Sequence, residues 1–334
     1  MANKHAALVD LLKAVRNTDY FFTTITPLSH QRVNARLGNQ WAKNSESSIA
    51  TNPAYFQHRI LRDIFGWSRA FYELDIDPEI FSLMQKAGVL KPYEDGLLSS
   101  VRISTFQHEK FGKQFFMHSA YPTAEANAVF FGPDTYRYLH EINSAMCQDS
   151  NVKRAVDIGC GAGPGAILTA LHHPLADVYA VDINQLALEL TSINATVANT
   201  KNVIPLYSDL LSGVDGNFDL ITANPPYLVD KDQRTYRHGG EDLGSGLSYD
   251  IVESAVSRLN LGGSLLLYTG VAINDGVDGF KNKIVEYLQS LSKHQNLLWS
   301  YREIDPDVFG EELDNPCYAV TDRIAAVVLK VTTK

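Results

Sequence analysis

Cysteine is scarce in this 334-residue chain, with three residues at positions 147, 160 and 317. They lie far apart and form no Cys-x-x-Cys pair, so neither a disulfide framework nor a zinc site is indicated, and no metal is expected. No uncharged apolar run approaches the ~18 residues of a membrane helix. The first fifteen residues carry Lys4, Asp10 and Lys13. They lack the apolar core and small-residue cleavage site of a signal peptide, so the expectation is a cytoplasmic protein without a membrane partner. Positive charge is also in short supply. The 29 Lys and Arg against 38 Asp and Glu leave a net charge of −9, which argues against coating nucleic acid through bulk charge. There is no internal repeat and no low-complexity tract. Apolar residues make up 45% and charged residues 20% of the chain, close to a globular average, which excludes disorder as the main state. A chain of this length suggests about two domains and buries enough surface to fold without a disulfide or metal.

The charge is uneven. Residues 1–120 carry 14 basic against 11 acidic side chains, and residues 121–334 carry 15 against 27. Any contact with a polyanion is therefore expected on the first part, where a net +3 is still close to an ordinary solvated surface. Residues 1–118 read as a mainly helical domain. Leu8, Leu11, Leu12 and Val15 recur at helical spacing, as do Ile60, Leu61, Ile64 and Phe65. Asn44 to Ser48 is polar and reads as a loop. Asp77-Pro78 opens a helix that stops at Gly88. Leu97–Ile103 and Lys113–His118 then read as a β-hairpin turning near Gly112. Helices followed by a hairpin resemble a winged-helix arrangement; the bland alternative is a helical cap with a hairpin that shapes a pocket.

Residues 119–334 change rhythm to strand, loop, helix, strand. Pro133–Met146 reads as a helix. Strands are expected at Arg154–Ile158, Val178–Val181, Val203–Tyr207, Phe218–Ala223 and Ser264–Tyr268. Helices are expected at Gly165–His172, along Leu186, Leu190, Ile193 and Val197, and at Ile251–Leu259. Alternation implies right-handed crossovers and a doubly wound, mainly parallel α/β sheet of Rossmann-like type. Leu297–Glu303 and Arg323–Val331, with only loop between them, add an antiparallel edge hairpin and bring the sheet to seven strands.

The first chemical signal is Val156-Asp-Ile-Gly-Cys-Gly-Ala-Gly-Pro-Gly165. A strand runs into glycines and out into a helix, so the backbone can turn tightly and approach a ligand. Gly161-x-Gly163-x-x-Ala166 formally fits a nicotinamide dinucleotide fingerprint. Asp157 opposes that reading, because its charge would repel a pyrophosphate and welcome a cation. Asp182 ends the second strand, 19 residues past Gly163, where a carboxylate can accept from both ribose hydroxyls. Asp209 follows the third strand and can accept from an adenine amino group, with Ile183 and Leu210 placed to sandwich the ring. Either acid alone is equally well a helix cap or a solvated loop residue. Together, at successive strand ends, they favour an adenosine site.

The sharpest signal is Asn224-Pro-Pro-Tyr227 at the end of the fourth strand. Pro225 and Pro226 have fixed φ and no N–H, so the turn is stiff. Asn224, preceding proline, is held extended. Its side-chain oxygen and the Pro225 carbonyl converge as two acceptors, which suits a planar –NH2 with two donors. Tyr227 offers a face for stacking. The bland alternative is a rigid loop after a buried strand. His172 and His173 read as surface residues, His238 as a loop residue near the signature, and Cys160 as a space-filler. Phe106, Phe111, Phe115, Phe116, Trp41 and Trp67 read as core.

These motifs resemble those of class I S-adenosylmethionine-dependent methyltransferases, over about residues 129–334. Asp157-x-Gly159-x-Gly161-x-Gly163 is similar to their first motif, Asp182 to their second and Asp209 to their adenine acid. Asn224-Pro225-Pro226-Tyr227 is similar to the amino-methylating signature of release-factor glutamine, adenine N6 and guanine N2 methyltransferases. Val129-Phe-Phe-Gly-Pro-Asp-Thr135 is similar to the segment leading into the cofactor site, which puts Phe131 and Thr135 among the implied cofactor contacts. Arg237-His-Gly-Gly240 with Gly246-Leu247 is similar to the loop after the signature in the glutamine and ribosomal-RNA branches. Two features depart from the glutamine branch: the fifth strand ends in Leu267-Tyr-Thr-Gly270 where an acid is usual, and the N-terminal part is longer. The resemblance implies S-adenosyl-L-methionine as cofactor and methyl transfer to an amino nitrogen of RNA or a protein glutamine, with residues 1–118 as the recognition module. A small-metabolite acceptor, with that module as a lid, is the alternative. A catalytically silent cofactor-binding scaffold and a nicotinamide oxidoreductase are the remaining classes. Both a monomer and a homodimer are compatible with the sequence.

Overall fold

The structure, a computed structural model, describes residues 2–36, 53–146, 151–231, 234, 236–293 and 295–334. The loop expected at 44–48, Trp41 and Cys147 lie outside the described residues. The chain divides into two compact units. One comprises Met1–Ala124, Val129–Asp134 and Ser192–Asn199; the other comprises Glu125–Ala128, Thr135–Thr191 and Thr200–Lys334.

The first unit begins with four helices, α1 (Ala2–Arg16), α2 (Pro27–Asn34), α3 (Pro53–Phe65) and α4 (Pro78–Ala87). The helical spacing does what it implies: Leu8, Leu11, Leu12 and Val15 of α1 and Leu61, Ile64 and Phe65 of α3 are all buried. At the start of α4 the Asp77 carboxylate accepts from the N–H groups of Glu79 and Ile80, and Gly88 ends the helix in the left-handed conformation at φ 63°. Two antiparallel hairpins follow, where one was expected. They are β1 (Leu90–Tyr93) with β2 (Gly96–Ser99), and β3 (Val101–His108) with β4 (Gly112–Ser119). The strand read as Leu97–Ile103 is broken because the Ser99 hydroxyl bonds both the N–H and the C=O of Val101, a local alternative to the ladder. The helical residues Ser192–Asn199 belong to this unit through Asn194. Its buried amide accepts from Met117 N at 2.8 Å and donates to Met117 O at 3.0 Å.

The second unit is a sheet with helices. Its elements are α5 (Pro133–Met146, from Thr135 on), β5 (Arg154–Ile158), α6 (Pro164–His172), β6 (Asp177–Asp182), α7 (Gln185–Ala198, up to Thr191), β7 (Val203–Tyr207) and β8 (Phe218–Ala223). They continue with α8 (Gly246–Val256), β9 (Leu259–Asn274), β10 (Val277–Asp278), α9 (Gly279–Leu291), β11 (Leu297–Asp305) and β12 (Arg323–Thr333). The strand order is β11-β12-β9-β8-β5-β6-β7, with β10 on β9, so the sheet has eight strands rather than the expected seven. Strands β5 to β9 are parallel, and β12 and β11 run antiparallel at one edge. The expected helix 251–259 ends at Val256, and Leu259 already belongs to β9. That strand is three times the expected length because β12 pairs along it from Ser264 to Ile273. Helix α9 went unread; Asp278 caps it at Lys281 N, and Phe280, Ile284 and Leu288 form its buried stripe. Among the described residues no helix is long and apolar enough to cross a membrane.

Chain direction decides where a ligand fits. From β5 the chain winds to β6 and β7 on one side, and later through β8 to β9 on the other. The reversal falls between β5 and β8, and a crevice opens beyond the carboxyl ends of strands at such a switch point.

Replacing Asn194 by Ala leaves a buried N–H and a buried C=O of Met117 without their partner. Each such loss costs ~1–3 kcal/mol, so urea denaturation of Asn194→Ala should show a fall of ~2–4 kcal/mol. An unchanged midpoint would contradict the packing described for this helix.

Candidate functional site

Register brings the two motifs together. Ile158 pairs with Ala223 as the last partners of β5 and β8, so Gly159 and Asn224 are the next residues out, side by side at the switch point. The glycine loop takes three left-handed turns, at Gly159 (φ 66°), Gly161 (φ 55°) and Gly163 (φ 79°). Two of them have separate reasons. A Cβ on Gly163 would meet Thr191, whose hydroxyl donates to Gly161 O at 3.0 Å. At Gly159 the place of a Cβ has no atom within 4 Å, so the exposed backbone there faces open space.

Asp157 sits beneath the loop and is only 3% exposed. One carboxylate oxygen accepts from the Tyr138 hydroxyl and from Thr222 Oγ1 at 3.0 Å; the other accepts from Ala166 N at 3.0 Å, in the first turn of α6. It therefore anchors the loop from below, and the direct approach to a cationic ligand expected from the sequence is taken up by these internal partners. Burial pushes its pKa up to about 6, against the three hydrogen bonds that favour the anion. Asp182, at the end of β6, accepts from Gly161 N at 3.0 Å and from Asn184 N at 2.8 Å. Each of its oxygens keeps a second lone pair for a ligand hydroxyl. Burial raises its pKa above the ordinary carboxylate value. Ile183 is 48% exposed, Asp209 is exposed and Leu210 is half-buried, an apolar and acidic rim around the strand ends. Thr135 is buried at the start of α5. Phe131 belongs to the first unit, buried between Phe116 and His118 with ring centroids 5.4 and 5.3 Å away. Cys160 is buried and burial raises its thiol pKa, which makes it a poor nucleophile.

At the other motif, Asn224 and Pro226 are half-buried and Pro225 is buried. Neither the Asn224 amide nor the Pro225 carbonyl has a hydrogen-bond partner among the described residues. Tyr227 departs from its expected role: it is 7% exposed, with its ring against Gly270 and near Phe309, so it offers no open stacking platform. A side chain at Gly270 would occupy the place of that ring.

The segment after the signature folds back onto it. Leu228 N donates to Arg237 O, and Gly239 N to Leu228 O. Cβ atoms on Gly239 or Gly244 would strike the Tyr227 backbone, which explains the glycines of this loop. Ionic contacts close it. Asp230 pairs with Arg234 at 2.5 Å and Arg237 at 3.4 Å, and Arg237 also pairs with Glu312. The Arg234 hydrogen bonds hold Asp230 at about 2. Val229 N donates to the Tyr318 hydroxyl at 2.9 Å, and His238 Nδ1 accepts from Asp230 N at 3.3 Å. Sequence reasoning missed Tyr138, Thr191 and Thr222, which act through tertiary contacts. It also missed Asp230 and Arg234, which pair across a loop that has no periodicity to read. Among the described residues no group of three or more His, Cys, Asp or Glu could hold a metal ion.

Residues 142–274 match the family model described as the methyltransferase small domain. The chain is 37% identical over 133 residues to a ribosomal protein uL3 glutamine methyltransferase of Neisseria meningitidis, covering 36% of this chain and 44% of that protein. It is 33% identical over 156 residues to a release factor glutamine methyltransferase of Deinococcus radiodurans, covering 43% and 55%. It is 29% identical over 112 residues to ribosomal RNA small subunit methyltransferase C of Cronobacter sakazakii, covering 34% and 30%. The chain thus spans about half or less of the length of these curated relatives. They fall in the group that the sequence motifs resemble.

The buried carboxylate makes stability depend on pH. Its folded value of about 6 lies above the ordinary 3.8. Asp157 therefore contributes fully below about pH 4, and that contribution is lost as pH rises through 6. Denaturation of the ligand-free protein should show wild type losing ~3 kcal/mol relative to Asp157→Asn between pH 4 and pH 7. Parallel pH profiles for the two proteins would contradict the environment described for this group.

Proposed function

We propose that the protein is an S-adenosylmethionine-dependent N-methyltransferase acting on a planar amino nitrogen of a protein glutamine or of RNA. The observation that carries this reading is the pair of unpartnered acceptors, Asn224 Oδ1 and Pro225 O, next in register to the open backbone at Gly159. The residues around that backbone suit an adenosine-bearing ligand: open space at Gly159, free lone pairs on Asp182, an exposed Ile183 and an exposed Asp209. Asp157, Gly161 and Gly163 shape the loop itself. S-adenosylmethionine, when bound, supplies an electrophilic methyl group on a sulfonium.

The chain's own residues handle the acceptor. An amide or nucleobase –NH2 donates one hydrogen to Asn224 Oδ1 and one to the Pro225 carbonyl. The lone pair is then held perpendicular to the plane of the group. Both oxygens also stabilise the positive charge that grows on nitrogen as the new bond forms. Fixed placement of the reacting groups supplies the larger part of the acceleration, since effective molarities reach ~10⁵ M or more. No dedicated base is required: as the N–C bond forms and the S–C bond breaks to leave a neutral thioether, the nitrogen becomes acidic and its proton passes to solvent. Pro226 and the buried ring of Tyr227 keep the turn from relaxing. Glutamine in a ribosomal or release-factor protein, or a base in ribosomal RNA, is the acceptor class suggested by the relatives, and the first unit serves as the recognition module in a cytoplasmic setting.

Incubation of cell extract with a donor carrying a labelled methyl group, followed by separation into protein, RNA and small molecules, tests the acceptor class. Label in protein or RNA supports the reading, and label confined to small molecules sinks it. Asn224→Ala should lower turnover at least ~100-fold, the scale of losing an oriented donor or acceptor at a reacting centre. Affinity for S-adenosylhomocysteine, measured by calorimetry, should stay within a few fold. Turnover close to wild type would remove Asn224 from the reaction.

A further inference from the structure

Between β11 and β12 the chain leaves the sheet over residues 306–322, outside the stretch 142–274. It makes two short 3₁₀ turns, Gly310–Asp314 and Pro316–Tyr318, with Asn315 extended between them. Their hydrogen bonds fall into one series. Glu312 N donates to Phe309 O at 2.8 Å, Asn315 N to Glu312 O at 2.9 Å, Tyr318 N to Asn315 O at 2.9 Å and Thr321 N to Tyr318 O at 2.8 Å. Turns of this kind bring residues three apart to one side, so Phe309, Glu312, Asn315 and Tyr318 form a row.

Each member of the row reaches the segment that ends and follows the Asn224 turn. The Phe309 ring lies 6.2 Å from that of Tyr227. Glu312 pairs with Arg237, whose carbonyl accepts from Leu228 N. Asn315 Nδ2 donates to Val229 O at 3.4 Å, and the Tyr318 hydroxyl accepts from Val229 N at 2.9 Å. Both backbone groups of Val229 are thus held by side chains of one row. Phe309 is the strained member. Its φ of 54° lies in the left-handed region, which a residue with a side chain rarely adopts. Such strain persists only where the surroundings over-determine it, and it collects at functional sites. The row is itself moored to the sheet. Val308 N donates to Ile324 O of β12 at 2.8 Å; Asp322 N donates to Ile273 O at 2.8 Å and Thr321 Oγ1 to Asn274 Oδ1 at 2.8 Å, both on β9.

On the function proposed above, we infer that Phe309, Glu312, Asn315 and Tyr318 are positioning residues for methyl transfer, with Tyr318 the central one. The row carries the rigidity of β9 and β12 to the segment after Tyr227. Through that segment it holds Asn224 Oδ1 and the Pro225 carbonyl in their places. Prolines stiffen the turn internally but do not fix its tilt against the sheet, and a brace beyond the turn does. Tilt matters because a misplacement of about 1 Å can lower a rate ~100-fold. Tyr318 suits the task. It is 2% exposed, and burial pushes the pKa of its hydroxyl up to about 12, so it remains a neutral acceptor at physiological pH.

Tyr318→Phe keeps the ring and removes only the acceptor of the Val229 N–H. In the full chain, donor-saturation kinetics with labelled S-adenosylmethionine and a fixed amount of cell extract should show the apparent kcat lowered at least ~10-fold. The apparent KM for the donor should stay within ~2-fold. Hydrogen exchange followed by mass spectrometry should be faster in a peptide spanning residues 224–231 and unchanged in one spanning β5. Glu312→Gln, which weakens another member of the row, should move both readouts in the same direction. Wild-type kcat in both variants overturns the proposal, and so does a KM that rises while kcat holds. A loss of exchange protection that extends to β5 overturns it too, because the variants then act through the stability of the whole sheet. Where the wild type labels neither protein nor RNA, the function proposed above fails and the positioning role falls with it; an active wild type with equally active variants overturns the positioning role alone.

Discussion

A buried carboxylate joins the elements around the switch point. Asp157 leaves β5 and receives hydrogen bonds from Tyr138 on α5, Ala166 in the first turn of α6 and Thr222 on β8. Burying such a charge is unfavourable, and the raised pKa of the group expresses that cost. What the cost secures is geometry. The strand bearing the glycine loop is tied through one side chain to the strand bearing Asn224 and to the helix that starts after the loop. A carboxylate suits this node because it accepts three hydrogen bonds and donates none when ionised. Ser or Thr would supply fewer lone pairs at shorter reach.

The two loops above this node are made stiff in opposite ways. The glycine loop is held by its neighbours: Thr191 braces Gly161, and Asp182 fixes the Gly161 N–H. Glycine is needed at position 163 because another side chain already fills the space. The Asn224 turn is stiff through its own prolines, and the segment that follows is laid across it. Gly239 and Gly244 let that segment lie on the Tyr227 backbone, and Asp230 with Arg234, Arg237 and Glu312 clamps it. A site of this kind loses little conformational freedom on accepting a ligand, which is the advantage of preorganisation.

The parallel strands were the most readable part of the sequence. Arg154–Ile158, Val203–Tyr207 and Phe218–Ala223 were legible to the residue, because short apolar runs bounded by turn residues have few other uses. The misreadings have a common cause. Strand β9 is long because of its antiparallel partner β12, and β1 contains a proline and is mostly exposed; pairing rather than local pattern creates both. Helix α9 carried its cap and its stripe in plain view at Asp278, Phe280, Ile284 and Leu288. In the site, the residue types at Gly159, Asp182 and Asn224 were readable because each has a local backbone reason. Tyr227 looked like a stacking platform because nothing local announces that Gly270 makes room to bury it. Two of the partners of Asp157, Tyr138 and Thr222, are brought from 19 and 65 positions away, beyond any periodicity.

On the function proposed above, the two acceptors Asn224 Oδ1 and Pro225 O also bear on which nucleophile the site would accept. An amide or aryl –NH2 brings two protons in one plane and satisfies both Asn224 Oδ1 and the Pro225 carbonyl. A hydroxyl or thiol brings one. It would leave the other oxygen without a donor in a place where Pro225 is buried, at a cost of ~1–3 kcal/mol. A site built to pair a polar group rejects analogues that lack the partner far more strongly than an apolar pocket rejects a missing methyl. On the same reading a protonated amine would be rejected on a different ground, since its lone pair is occupied. On that reading the arrangement would discriminate by proton count and by planarity before any contact with the rest of the acceptor is made. Recognition elsewhere on the chain has only to choose among planar amino groups.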